Sequence, residues 1–120
     1  MTVIYDQLGR PAATISSSAL FNADGEQTAV VEDGLIFSLA NGEFWGSYSN
    51  GVIYSSEGQA EGFSKNAKPG PSLHAPRLRT LPPRLKNLSE GVRHLPSCQP
   101  PEFFRKAVAN KKSTLDGILA

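Results

Sequence analysis

The sequence predicts an all-β fold: a four-repeat β-hairpin meander of about eight short strands, closed into a small pseudo-four-fold ring or barrel. An extended proline-rich basic tail and a short C-terminal helix follow it. Three observations carry this prediction. Four segments of the 120-residue chain align: VIYDQLGRPAATI (3–15), ALFNADGEQTAVV (19–31), LIFSLANGEFWGSY (35–48) and VIYSSEGQAEGF (52–63). Turn-forming dipeptides recur in register inside and between these copies. Composition then changes abruptly near residue 66.

Each copy opens on an aliphatic–aromatic pair: Ile4-Tyr5, Leu20-Phe21, Ile36-Phe37 and Ile53-Tyr54, with the rings 16, 16 and 17 residues apart. Such pairs favour extended chain, so each starts a strand. A glycine follows four or five residues later (Gly9, Gly25, Gly42, Gly58), and a small residue comes four residues after that (Ala13, Ala29, Gly46, Gly62). Asp24-Gly25 and Asn41-Gly42 are strong hairpin signals, because glycine accepts positive φ without cost. The small residue in the second strand lets another backbone or a bulky ring come close. Asp33-Gly34 and Asn50-Gly51 turn the chain between copies, whereas the first link, Ser16-Ser17-Ser18, lacks the glycine.

A lone hairpin is marginal in water, so each unit must bury its apolar face against its neighbours. Four units in an open stack would leave two raw strand edges, and closure removes both. Closure also brings Tyr5, Phe21, Phe37 and Tyr54 to equivalent places, which we expect in the core. A domain this small buries only about 60% of its unfolded surface, so these rings carry much of its stability.

The ring, turn glycine and small residue, repeated four times, resemble the bacterial 4-fold beta flower family, whose members join four short hairpin repeats to a proline-rich tail and a short acidic-hydrophobic C-terminus. The likeness covers residues 3–65 and extends loosely to Ser113-Thr114-Leu115-Asp116-Gly117-Ile118-Leu119. This chain departs at Ser16–Ser18, where an acidic-glycine turn is expected, and in a tail richer in arginine and leucine. The resemblance implies the fold and brings no activity with it.

Net charge divides as sharply as pattern. Residues 1–65 hold eight acids and two bases, and residues 66–120 hold ten bases and three acids, giving −6 and +7. Eight of the nine prolines lie between Pro69 and Pro101. We therefore divide the chain into a repeat domain (1–65), a Pro-rich basic linker or arm (66–101), and a short amphipathic helix with a C-terminal motif (102–120). Proline excludes regular helix or central strand from the arm, which is either a mobile polyproline-like linker or an extended arm laid on a partner. After Pro101, EFFRKAVANKK places Phe103, Phe104, Ala107 and Val108 on one helical side. Glu102 near its start and Lys111-Lys112 near its end suit the helix dipole. In STLDGILA, Ser113 is a candidate cap, and Leu115, Ile118 and Leu119 form a small apolar patch.

The residues offer little chemistry. His74 and His94 both fall in the proline-rich segment, where catalytic geometry would not be held rigidly. His94 and Cys98 have ligand spacing, but no second pair accompanies them. The acids fall mostly at turns (Asp6, Asp24, Asp33, Glu57), which turn chemistry explains. No glycine-rich loop leads into a lysine-bearing helix. We therefore expect no catalytic residue, no cofactor and no metal, and a protein that is not an enzyme. One cysteine excludes an internal disulfide, and without a signal or transmembrane stretch the expected compartment is the cytoplasm.

The candidate interaction residues are Arg77, Arg79, Arg84 and Lys86, together with Trp45. The basic run suits an acidic face of this chain or a sister chain, a protein partner, or a polyanion such as nucleic acid or an anionic membrane. No aromatics interleave it, which argues against stacking on single strands. Trp45 occurs only in the third copy and marks either extra core filling or a binding face. The favoured expectation is a protein-interaction module with an unknown protein partner. Polyanion binding and a small-molecule site on the ring axis are the alternatives.

Overall fold

A computed structural model describes residues 1–16, 18–69, 91–108 and 114–119. Eight strands come first: β1 (Thr2–Tyr5), β2 (Pro11–Ser16), β3 (Ala19–Asn22), β4 (Gln27–Glu32), β5 (Leu35–Ser38), β6 (Phe44–Ser49), β7 (Val52–Ser55) and β8 (Ala60–Phe63). Each pairs antiparallel with its sequence neighbour, and β8 returns to β1, so the sheet is a closed barrel in sequential order. Two short helices follow, α1 (Glu102–Ala107) and α2 (Leu115–Leu119). The meander and its closure are as the repeats predict.

The hairpin tips share one construction. The residue after each ring donates its backbone N–H across the turn: Asp6 to Arg10 O, Asn22 to Glu26 O, Ser38 to Glu43 O and Ser55 to Gln59 O. Its side chain also accepts from the turn. Asp6 Oδ1 takes the N–H groups of Leu8 and Arg10, Asn22 Oδ1 those of Asp24 and Glu26, and Ser55 Oγ those of Glu57 and Gln59. In the third copy the task is split, Ser38 Oγ accepting from Ala40 and Asn41 Oδ1 from Glu43. That copy's loop holds one extra residue, which explains the longer third spacing. Between copies, Asp33-Gly34 (φ 52° and 78°) and Asn50-Gly51 (φ 52° and 79°) have the two positive φ values of a tight hairpin turn. Ser18, at φ 67°, stands where the other links have glycine.

A bulge recurs at the ring of every copy. Ile4 pairs with Ala13 but Tyr5 with Pro11, so Ala12 has no opposite residue. The same skip leaves out Thr28, Trp45 and Glu61 in the other three copies. Bulges increase local twist, which short strands need if eight of them are to close.

Pleating sends the two members of each aliphatic–aromatic pair to opposite faces. Ile4, Leu20, Ile36 and Ile53 form one cluster with Ala13 and Ala29, and all six are fully buried. Side chains from all four copies of a closed barrel meet only on its inward face, so this cluster is the interior. Small residues opposite the aliphatics suit the narrow bore. Space there is tight: a Cβ added to Gly46 would stand 2.0 Å from the Tyr54 carbonyl oxygen.

The rings occupy equivalent positions and are buried, as expected, yet the barrel does not close around them. They lie on the other face. Tyr5 and Tyr54 join Val52, Ala60 and Phe63 in a second cluster, and Phe37 joins Val30 and Leu35 in a third. Phe104 of α1 completes the second cluster, with its ring 4.9 Å from that of Phe63. Phe103 and Val108 pack beside it, as the predicted helical side requires.

Candidate functional site

The four bulged residues, Ala12, Thr28, Trp45 and Glu61, lie on the hairpin-tip side of the interior layer, at the mouth of the barrel. α2 lies across this mouth. Leu115 and Ile118 join the interior cluster, with Ala12, Trp45 and Leu119 packed against it. Glu61, fully buried, accepts the Thr114 backbone N–H at 2.8 Å (Oε2) and the Thr114 hydroxyl at 3.2 Å (Oε1). A buried carboxylate is tolerated only when hydrogen-bonded, and these contacts at the start of α2 supply bonds of that kind. The C-terminal apolar patch read from the sequence is therefore the barrel's stopper, with Thr114 receiving the carboxylate. Ser113, the expected cap, lies outside the described residues.

Two clefts flank α2. One, of about 670 Å³, separates the first two hairpin tips and is lined in part by Asp6, Arg10, Asn22, Asp24, Arg93 and Asp116. Its cations are already engaged, Arg10 with Asp6 at 2.9 Å and Arg93 with Asp24 at 3.0 Å. The other, of about 210 Å³, lies against Phe44, Trp45, Ser55, Ser56, Glu57 and Thr114. Trp45 packs on the core, as one of its two sequence readings has it, and its other side walls this cleft.

The tail does not leave the barrel where its composition changes. The Lys68 N–H donates to Asn50 O at 2.8 Å. At the far side of the basic run, the Val92 N–H donates to Ala23 O at 2.8 Å, and Val92 is buried. The Cys98 N–H then donates to Gly9 O at 2.8 Å, so residues 91–101 cross from the second hairpin tip to the first before α1 begins. The C-terminal part of the Pro-rich segment is thus laid on its own domain. Gly9 and Gly91 permit this contact, since a Cβ on either would stand within 3 Å of the opposing backbone.

Arg77, Arg79, Arg84 and Lys86, and also His74, lie outside the described residues. His94 is exposed and Cys98 half-buried. Among the described residues, no three His, Cys, Asp or Glu side chains converge to hold a metal ion. No helix among them is long and apolar enough to cross a membrane. Sequence reasoning missed the role of Glu61, which enters it only as one of the eight acids of residues 1–65. The available signal was its place: it immediately precedes the small residue of its copy, as Trp45 does.

Sequential hairpins, a bulge at every ring and a small residue opposite every aliphatic define a closed barrel of four hairpin repeats. A family model described as 4-fold beta flower protein matches residues 2–109, and the chain belongs to that family. No curated protein matches the chain, and no solved structure does.

Proposed function

We propose that the protein is a non-enzymatic interaction module, in which the barrel presents the proline-rich basic segment to a protein partner. The observation that carries this reading is the anchoring of that segment at both ends. Lys68 is bonded to the link between β6 and β7, and Val92 to the tip between β3 and β4. The chain is therefore held on the barrel on both sides of the basic run, which lowers the ordering cost of recognition. Charge favours a protein partner with an acidic face. An axial small-molecule site has little support, because fully buried aliphatic side chains occupy the axis and α2 lies across one end.

Truncation after residue 66 would remove Phe104 and Leu115 from the core, so the test uses the full chain. Arg77, Arg79, Arg84 and Lys86 are replaced together by alanine, and cross-linked partners are compared with those of the wild type. The proposal expects specific partners to be lost while the melting temperature is kept; unchanged partners would sink it. The second reading, polyanion binding, expects affinity for a DNA or RNA duplex that falls steeply with salt.

A further inference from the structure

We propose that the mouth of the barrel is a peptide-recognition site, filled in each chain by its own residues 114–119 and able to take the same segment from a second copy. Three observations lead there. α2 has five residues, far too few to form a helix unaided. It also carries Gly117, whose missing Cβ would meet nothing within 4 Å, so no packing demand explains this helix-weakening residue. α2 is therefore helical because it is docked.

The receptor is specific. Leu115 and Ile118 enter a cluster drawn from all four repeats, and Glu61 recognises a backbone N–H and a hydroxyl on one residue, Thr114. The three other bulge residues differ from it: Ala12 is small, Trp45 bulky and Thr28 neutral. The pseudo-four-fold mouth thus accepts a hydroxyl-Leu-x-x-Ile turn in one rotational setting. An element with little structure of its own, seated in a preformed receptor, has what exchange between identical copies requires. A second copy is the occupant argued for because it carries this complement by construction.

Trp45, the chain's one tryptophan, walls the cleft beside Thr114 and reports on the seat. The full chain is titrated with an end-blocked Thr-Leu-Asp-Gly-Ile-Leu peptide bearing a quencher, and with a control peptide that has Asp in place of Leu at its second position. Exchange predicts saturable quenching of Trp45 by the first peptide and at least tenfold weaker quenching by the control. Ile118→Asp in the full chain, which weakens the resident segment, should strengthen quenching about tenfold. Light scattering of concentrated wild-type protein should show a dimer that excess peptide dissolves. Absence of quenching in the wild-type chain, whether or not Ile118→Asp folds, overturns the proposal. Quenching without a peptide-sensitive dimer overturns the second copy as occupant.

Discussion

The ring of Phe104 lies 4.9 Å from that of Phe63, and Phe63 stacks at 5.5 Å on Tyr5, its partner across the closing seam of the barrel. That seam has a single register pair, Tyr5 with Phe63, whereas β4 and β5 share four. Fewer ladder bonds leave side-chain packing to hold β1 against β8, and α1 supplies it. Phe104→Ala should cost about 3–5 kcal/mol, by transfer plus cavity. Hydrogen exchange should then show β1 and β8 losing protection before β4 and β5. Equal loss in all strands would mean that α1 stabilises the barrel without clasping the seam.

Gly46 tests why the second strand of each copy carries a small residue. Its added Cβ would stand 2.0 Å from the Tyr54 carbonyl oxygen and 3.1 Å from the Ser55 Cα. Both obstacles are backbone, so relief requires β6 and β7 to separate. Gly46→Ala should therefore cost at least about 3 kcal/mol, the upper part of the range for overpacking. Denaturant unfolding checks it, and a loss under about 1 kcal/mol would show that the strands yield easily.

How much of this was legible in the sequence depends on the range over which each feature is determined. Turns and strands are local, so Asp33-Gly34, Asn50-Gly51 and the aliphatic–aromatic pairs announced the meander directly. Closure followed because four similar units in an open stack would leave two raw edges, which a ring removes. Which face turns inward was not legible: Ile4 and Tyr5 alternate whichever faces the bore, and ring size misleads. A bore that admits only Ala13, Ala29, Gly46 and Gly62 opposite the aliphatics leaves the rings outside. Docking of Leu115, Phe104 and Val92 depends on contacts more than 40 residues away. Glu61 carried no local signal of its role because its partner, Thr114, is 53 residues distant.

Ser18 holds φ 67° in the link where the chain lacks the glycine of Gly34 and Gly51. A side chain in the left-handed region costs roughly 1–2 kcal/mol, and glycine's unfolded-state entropy gives back part of that. Ser18→Gly should therefore stabilise by about 0.5 kcal/mol, seen as a rise of a few degrees in melting temperature. A fall would mean that the serine side chain contributes to the turn.

Ser47, on β6, is buried, and its Oγ has no hydrogen-bond partner among the described residues. The corresponding residues in the other copies are Thr14, Val30 and Phe63, so the site takes apolar side chains. An unsatisfied buried hydroxyl costs about 1–3 kcal/mol relative to an apolar group of the same shape. Ser47→Ala is thus expected to leave stability unchanged or raise it by up to about 1 kcal/mol. A clear loss in chemical denaturation would reveal a hydrogen bond formed in solution.

Tyr54 pairs with Ser47 across β6 and β7, and burial raises its phenol above the ordinary value of 10.0. Desolvation penalises the phenolate, so the folded chain holds this proton where the unfolded chain releases it. The sign follows from proton counts. Below about pH 10 both states are neutral here and stability does not depend on pH through this group. Above that value the unfolded state binds fewer protons, and stability falls as pH rises toward the folded-state pKa. Tyr54→Phe removes this component. Melting temperatures of the two chains should keep a constant offset from pH 7 to about 9.5 and then converge or cross, the wild type falling faster. Parallel curves through pH 11 would show that the phenol ionises as readily inside the barrel as in the unfolded chain.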